Sequence, residues 1–331
     1  MHTAKKVVSF ITAGFLVFAA VSVLQTAGAF TWLENKSYDE RMKFTARYFS
    51  PSEKIAVVLL DQDSLDWAKK EKSWGWPWPR SSYGTMVDYF NRAGAASVAF
   101  DMLYTEPSVY GGNDDKAFAD ACRRYGHVIQ TVYYDPQSPD TPLMPVPELA
   151  SSAALLGNIT SSLDSDGVVR RARFYADSKA SEPGLAAASL IACGQKPDFS
   201  RIPGAAGGGM YIRYMEDLTR FAPYSMKQIL QSEYAIEEAE RAETEIDFTA
   251  GDLIDPSQFA GVHVFFGLYT PGLFDICTTP VSSVYPGVGV HISQLDTILQ
   301  NEYLRDVPFA VMLVLAFTAA LSGILLGASR R

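Results

Sequence analysis

The chain is 331 residues long, 48% hydrophobic, and carries a formal charge of −9 at pH 7. A chain this acidic has no electrostatic footprint for a phosphate backbone, so nucleic-acid binding is excluded. Its three cysteines, Cys122, Cys193 and Cys277, are an odd number without C-x-x-C spacing, which excludes a disulfide framework and a cysteine metal site. They read as small buried apolar residues, and a Cys193 to Cys277 bridge stays open.

Residues 7–33 and 307–329 are uncharged, and each exceeds the roughly 20 apolar residues that a helix needs to cross a bilayer. Both are expected to be transmembrane helices. Lys5 and Lys6 precede the first and Arg330 and Arg331 follow the second, so the positive-inside bias puts residues 1–6 and 330–331 in the cytoplasm. Residues 34–306 then face outward, carrying all 37 acidic residues. Ala27-Gly28-Ala29 offers a rival reading as a signal-peptide cleavage site, but the apolar run before it is longer than a signal core, and Phe30 and Trp32 suit a membrane interface. An uncleaved anchor is the expectation.

In the middle segment, residues 55–60 are a continuous apolar run, which predicts a strand buried on both faces. Ser81 or Ser82 is expected to cap a helix running to about Arg92, with Met86, Val87, Phe90 and Ala93 at helical spacing and Gly94 ending it. A second strand is expected at 96–103, a helix from Asp114 or Asp115 to Gly126, and a third strand at 127–133. Strand alternating with helix predicts an α/β fold, a doubly wound and mostly parallel sheet in one extracytoplasmic domain. Beyond it, Asp164-Ser165-Asp166-Gly167 predicts a hairpin turn between 158–163 and 168–175. Residues 185–193 read as a buried helix, 262–268 as a buried strand, and 290–299 as the helix that leads back toward the second apolar stretch. The acids of 226–245, among them Glu237, Glu238 and Glu240, read as a solvated helix face.

Ligands of open parallel sheets bind at the carboxyl ends of the strands, where loops converge. Asp61 and Asp63 follow the first strand and Asp101 ends the second, so these carboxylates can hold a cation or a ligand's amino or hydroxyl groups, or else cap helices and tie loops. Trp78 and Arg80 close a stiff aromatic segment, Trp74 to Arg80, where Arg80 can receive an anion or stack on a tryptophan, or where the tryptophans simply lid the sheet edge. His291 can sense pH or ligate a metal, or serve as a packing residue. The D-x-D-G turn at 164–167 has a calcium-loop look but lacks a later acidic ligand. No dedicated metal site and no cofactor are expected. Asp61-Gln62-Asp63 also suits the nucleophile loop of a magnesium-dependent phosphatase with Asp114-Asp115 as metal-binding pair, although no lysine stands at a matching strand end. A structural envelope protein is the third class.

Several landmarks occur in one order: Tyr38-Asp39-Glu40-Arg41, Asp61-Gln62-Asp63-Ser64-Leu65, Trp76-Pro77-Trp78-Pro79-Arg80, Phe100-Asp101 and Gly157-Asn158. Asp164 to Arg171, Pro271-Gly272-Leu273-Phe274-Asp275 and Pro286-Gly287-Val288-Gly289-Val290-His291 follow. Together they resemble the second class of CHASE domains, the cyclase- and histidine-kinase-associated sensory extracellular modules. The resemblance implies the extracytoplasmic sensor of a bacterial receptor in the cell membrane, without catalysis of its own. It binds an unknown small ligand, acts as a homodimer, and relays to a cyclase or kinase output lying outside these residues or in a partner. Asp275 joins Asp61, Asp63, Trp78, Arg80, Asp101 and His291 as a candidate ligand contact. The family usually has an acidic residue where this chain has Gly289.

Overall fold

A computed structural model describes residues 2–138, 140–175, 182–204, 208–249, 251–273 and 275–329; Phe274, Arg330 and Arg331 thus lie outside the described residues. In chain order the elements are α1 (His2–Thr26), α2 (Thr31–Ala46), β1 (Ile55–Asp61), α3 (Gln62–Trp67), α4 (Arg80–Ala93), β2 (Ser97–Asp101) and α5 (Gly112–Tyr125). Next come β3 (Val128–Val132), α6 (Pro147–Ala150), β4 (Leu155–Asn158), β5 (Arg171–Ala172), α7 (Leu185–Ala192), β6 (Met210–Tyr211) and β7 (Tyr224–Ser225). The chain ends with α8 (Met226–Ala242), β8 (His263–Tyr269), β9 (Ile276–Cys277), β10 (Tyr285–Pro286), α9 (Gly287–Gln300) and α10 (Phe309–Ser329).

Two units are distinguished, residues 1–41 with 305–331, and residues 42–304. In the first, α1 and α10 pack together and Phe18 meets Phe317 edge to face, with ring centroids 6.0 Å apart. Among the described residues no single helix is long and apolar enough to cross a membrane; Thr12–Thr26 and Thr31–Ala46 pass that test only as a pair bent by 77°, and Ala310–Gly323 is a shorter apolar helix.

The second unit is built on a six-stranded sheet of order β4-β3-β2-β8-β1-β7 in which every neighbouring pair is parallel. Side chains alternate across a strand, so its apolar run feeds two cores at once. Ala56, Val58 and Leu60 of β1 join Phe100 and Phe266 on one face, under α4, α5 and α8. Ile55, Val57 and Leu59 join Ala99 and Phe265 on the other, under α7 and α9. Each fully buried Val, Leu, Ile or Phe contributes about 1.5–3 kcal/mol, which is why the central strands are almost wholly apolar. Gly157 has a packing reason: a Cβ there would sit 2.7 Å from Leu185 Cδ1 and 2.9 Å from Ile129 Cγ2, so α7 lies directly on β4.

Three local expectations are revised. The α4 amides are capped not by Ser81 or Ser82 but by Asp114, whose carboxylate oxygens accept from Arg80 N at 2.6 Å and Ser81 N at 2.9 Å. The 158–163 strand is instead a parallel strand ending at Asn158; the hairpin survives as the turn at Asp164 to Gly167 and one bridge, Ser162 to Arg171. Arg170 fills that turn, donating to Asp164 and Asp166 at 2.8 Å each, so its carboxylates hold a guanidinium in the place of a cation. The three cysteines are free, with Cys122 buried and its thiol pushed up to about 12 by burial.

The segment leading into β1 is fastened to α9. Asp296, fully buried, accepts from Ser52 N at 2.7 Å and pairs with buried Arg213 at 2.7 Å. Gln300 donates to the Ser50 carbonyl at 2.8 Å, and the Arg213 guanidinium lies 4.6 Å from the Phe49 ring centre.

Candidate ligand cleft at the carboxyl edge of the sheet

The parallel strands end together, and the residues just past them enclose a cleft of about 570 Å³. Asp101 ends β2, Tyr133 follows β3, Ile159 follows β4, and Leu268 lies near the end of β8. Leu143 returns over the edge on two backbone bonds with Tyr133, at 2.9 and 3.1 Å. Trp76, Leu273 and Val288 complete an apolar wall around the two carboxylates, Asp101 and Asp275. This is the size and make-up of a small-molecule site: largely apolar, pre-formed, with few convergent polar groups.

Asp101 is a perturbed acid. Burial first, and the Asp275 charge second, push its carboxyl up to about 7, with no hydrogen bond offsetting either. An acid held there carries a proton in an empty cleft near neutral pH and gives it up when a cation arrives.

Asp275 is placed by the glycines of the Pro286 to Val290 motif. Its carbonyl accepts from Gly287 N at 3.0 Å, and a Cβ on Gly287 would fall 2.8 Å from Asp275 Oδ2. Gly287 is therefore the only residue type that lets this carboxylate lie against the first turn of α9, where the helix dipole also favours an anion. A Cβ on Gly267 would meet Val288 at 2.8 Å, so β8 and α9 touch backbone to side chain under the cleft. Gly289 has a steric cause as well: a Cβ would reach the Tyr285 ring at 2.6 Å.

A second pocket of about 190 Å³ adjoins the cleft, since Met102 and Leu103 line both. Trp78, Arg80, Tyr83 and Tyr104 line the rest. Arg80 lies with its guanidinium carbon 4.2 Å from the Tyr104 ring centre and donates from Nη2 to the Glu106 carbonyl at 2.9 Å. Its partner carboxylate, Asp115, is 3.7 Å from Nε. Trp78 is buried and stacks edge-on with Trp67 and Trp74, which gives it a packing role beside the pocket.

The remaining candidates lie elsewhere. Asp61 caps α3 by accepting from Ser64 N at 2.8 Å and also accepts from the Ser225 hydroxyl at 3.0 Å. Asp63 pairs with Lys227 at 2.9 Å. Both therefore tie loops, the second of the roles their spacing allowed. Asp114 is spent on capping α4, so the Asp61 and Asp114-Asp115 pieces of a phosphatase site serve separate structural ends. Among the described residues no group of three or more His, Cys, Asp or Glu could hold a metal ion. His291 is buried and lowered to about 4 by that burial, so it stays neutral at physiological pH. It lines a separate small cavity with Asn158, Arg171 and Gln294.

The sequence pointed to Asp101 and Asp275 and to Trp76 as a lid on the sheet edge, but not to the walls formed by Tyr133, Leu143, Ile159, Leu268 and Leu273. For three of these the available signal was position: Tyr133 and Ile159 stand just past the ends of β3 and β4, and Leu268 is one residue short of the end of β8.

No curated protein and no solved structure matches the chain. The family model described as the CHASE2 domain matches residues 15–327, and this match runs through all of the strands and helices that build the cleft. The chain is thus a member of the CHASE2 family, a family of extracytoplasmic sensor domains.

Proposed function

We propose that this chain is the ligand-sensing part of a transmembrane signalling receptor, and that its ligand is a small molecule bound in the cleft at the carboxyl edge of the sheet. The observation that carries this reading is Asp101: an acid raised to about 7 in an apolar recess costs the fold stability, and such groups concentrate at functional sites. With Asp275 beside it, the cleft favours a ligand bearing an ammonium or hydroxyl donors over an anion. On this reading the chain performs no catalytic step of its own and needs no cofactor. Residues 7–33 and 307–329 anchor it in the cell membrane, residues 34–306 face outward, and a cyclase or kinase output responds inside as part of the receptor or as a partner. A homodimer is the signalling unit. The ligand biases the flanking helices by no more than its difference in affinity between two arrangements of the domain.

The test is a thermal-shift screen of the full chain in lipid nanodiscs against small amines, amino alcohols and polyols. Hits are expected that stabilise the native chain and lose at least tenfold in affinity with Asp101→Asn. Hits indifferent to Asp101 and to Asp275 would move the ligand site elsewhere. A reporter enzyme fused after residue 50 and active only inside the cell would overturn the topology.

A further inference from the structure

The pocket next to the cleft holds an unusual concentration of unmet hydrogen-bonding capacity. Among the described residues, Arg80 Nη1, the Tyr83 hydroxyl, the Tyr104 hydroxyl and Asp115 Oδ1 are all buried without a hydrogen-bond partner. Native proteins leave few such atoms, because each costs its full desolvation when unpaired. Here three belong to residues lining one recess, and the fourth, Asp115 Oδ1, lies 3.7 Å from Arg80 Nε behind it. Tyr83 and Tyr104 are each 1% exposed, their rings 5.6 Å apart, and both line the 190 Å³ pocket along with Arg80. Three of the four atoms are donors, and an oxygen acceptor is what they lack.

Asp114 already accepts from the Arg80 and Ser81 amides and the Ser108 hydroxyl. Asp115 Oδ2 accepts from Ser108 N at 2.8 Å, leaving its Oδ1 facing Arg80 Nε. Arg80 still offers Nη1, and its Nη2 is spent on a carbonyl, which carries no charge. A carboxylate can accept from Nη1 and from the two phenols at once, since its two oxygens present about four lone-pair sites.

The two sites share walls. The segment Trp76 to Arg80 and the segment Asp101 to Tyr104 run past both, with Trp76 and Asp101 in the cleft and Arg80 and Tyr104 in the pocket. Three residues of extended chain span at most roughly 10 Å, so the acid end and the donor end are within reach of one small molecule. We propose that the ligand is an amino acid or an ω-amino acid, its ammonium held by Asp101 and Asp275 and its carboxylate by Arg80 Nη1, Tyr83 and Tyr104. This inference rests on the reading of the cleft as the ligand site and adds the ligand's second charge.

The test titrates the full chain in nanodiscs with glycine, leucine, 4-aminobutyrate and 5-aminopentanoate, each beside its decarboxylated amine, its amide and its N-acetyl form. At least one zwitterion is expected to bind, with loss of either charge weakening it about tenfold or more. Tyr104→Phe and Tyr83→Phe are the informative variants, because they keep the ring and remove only a hydroxyl that the free protein does not use. Each is expected to leave the melting temperature unchanged or higher while weakening the zwitterion about five- to tenfold and leaving its amine counterpart untouched. An amine that binds as tightly as its parent zwitterion overturns the proposal, as does a Tyr104→Phe/Tyr83→Phe double variant with unaltered affinity, or a panel in which nothing binds. A ligand from outside the panel that depends on Asp101 but not on Tyr104 overturns it too, while the cleft reading stands.

Discussion

Replacing Asp101 by Asn tests whether the cleft is organised around a protonated acid. A displacement from 3.8 to about 7, at about 1.4 kcal/mol per unit, amounts to about 4 kcal/mol of stability that differs between low and high pH. The sign follows from proton counting. Below 3.8 the carboxyl is protonated in both folded and unfolded chains; between 3.8 and 7 only the unfolded chain ionises, so stability falls as pH rises, and above 7 the full cost is present. From pH 5 to pH 8 the remaining part is about 3 kcal/mol, and water entering the open cleft trims it to about 2. Urea unfolding of the full chain at both pH values measures it. The wild type is expected to lose about 2 kcal/mol more than Asp101→Asn on going from pH 5 to 8, and the variant to be the more stable protein at pH 8. Parallel pH profiles for the two proteins would show that Asp101 ionises like an ordinary surface carboxylate, and the cleft's electrostatic argument would then fail.

Other substitutions address the frame around the site. Asp296→Asn leaves the buried Arg213 with the more exposed Glu302, 2.9 Å away, as its carboxylate partner and should cost about 1–3 kcal/mol in urea unfolding, whereas Asp296→Leu combined with Arg213→Met should cost less than the two single changes together. Gly287→Ala puts a methyl group 2.8 Å from Asp275 Oδ2, so it should weaken any Asp275-dependent ligand and destabilise by about 1–3 kcal/mol, with Gly287→Ser no better. His263 and His291 are both lowered to about 4 by burial, His263 also by Lys54. Their contribution to stability is complete above the unfolded value near 6.5 and is lost as pH falls toward 4, so neither ring should titrate between pH 6 and 8 when followed by NMR.

How much of this was visible beforehand depended on whether the cause was local. β1, β2, β3 and β8 were legible because a strand buried on both faces must be apolar at every position, and the glycines at 94 and 126 mark helix ends by the left-handed backbone they adopt. β7 was not legible: two residues, Tyr224 and Ser225, pair with Val58 and Leu59 through tertiary position alone. The Asp114 cap on α4 reaches across 34 residues and has no local signature. Asp61 and Asp101 show the same limit at the site. Each follows or ends an apolar strand, yet Asp61 has Ser64 and Ser225 within reach while Asp101 faces Asp275, a residue supplied by the loop after β8. Strand-end chemistry narrows the candidates, and only the partner brought in from elsewhere decides between a cap and a site.

That partner also makes ligand affinity depend on pH. Among the described residues, Asp101, Asp275 and Tyr133 are the titratable groups lining the cleft, and burial pushes the Asp101 carboxyl up to about 7. An ammonium placed between the two carboxylates favours their ionised forms, so binding below pH 7 must expel the Asp101 proton and binding above it need not. Affinity for a cation should therefore rise about tenfold per pH unit up to about 7 and then level off. Dissociation constants at pH 5.5, 6.5, 7.5 and 8.5 give the slope, and calorimetry in two buffers of different ionisation enthalpy counts the proton released at the lower values. With Asp101→Asn the slope should vanish along with most of the affinity. A wild-type affinity flat across the whole range would mean that the ammonium never meets Asp101, and that Asp275 at the first turn of α9 receives the ligand alone.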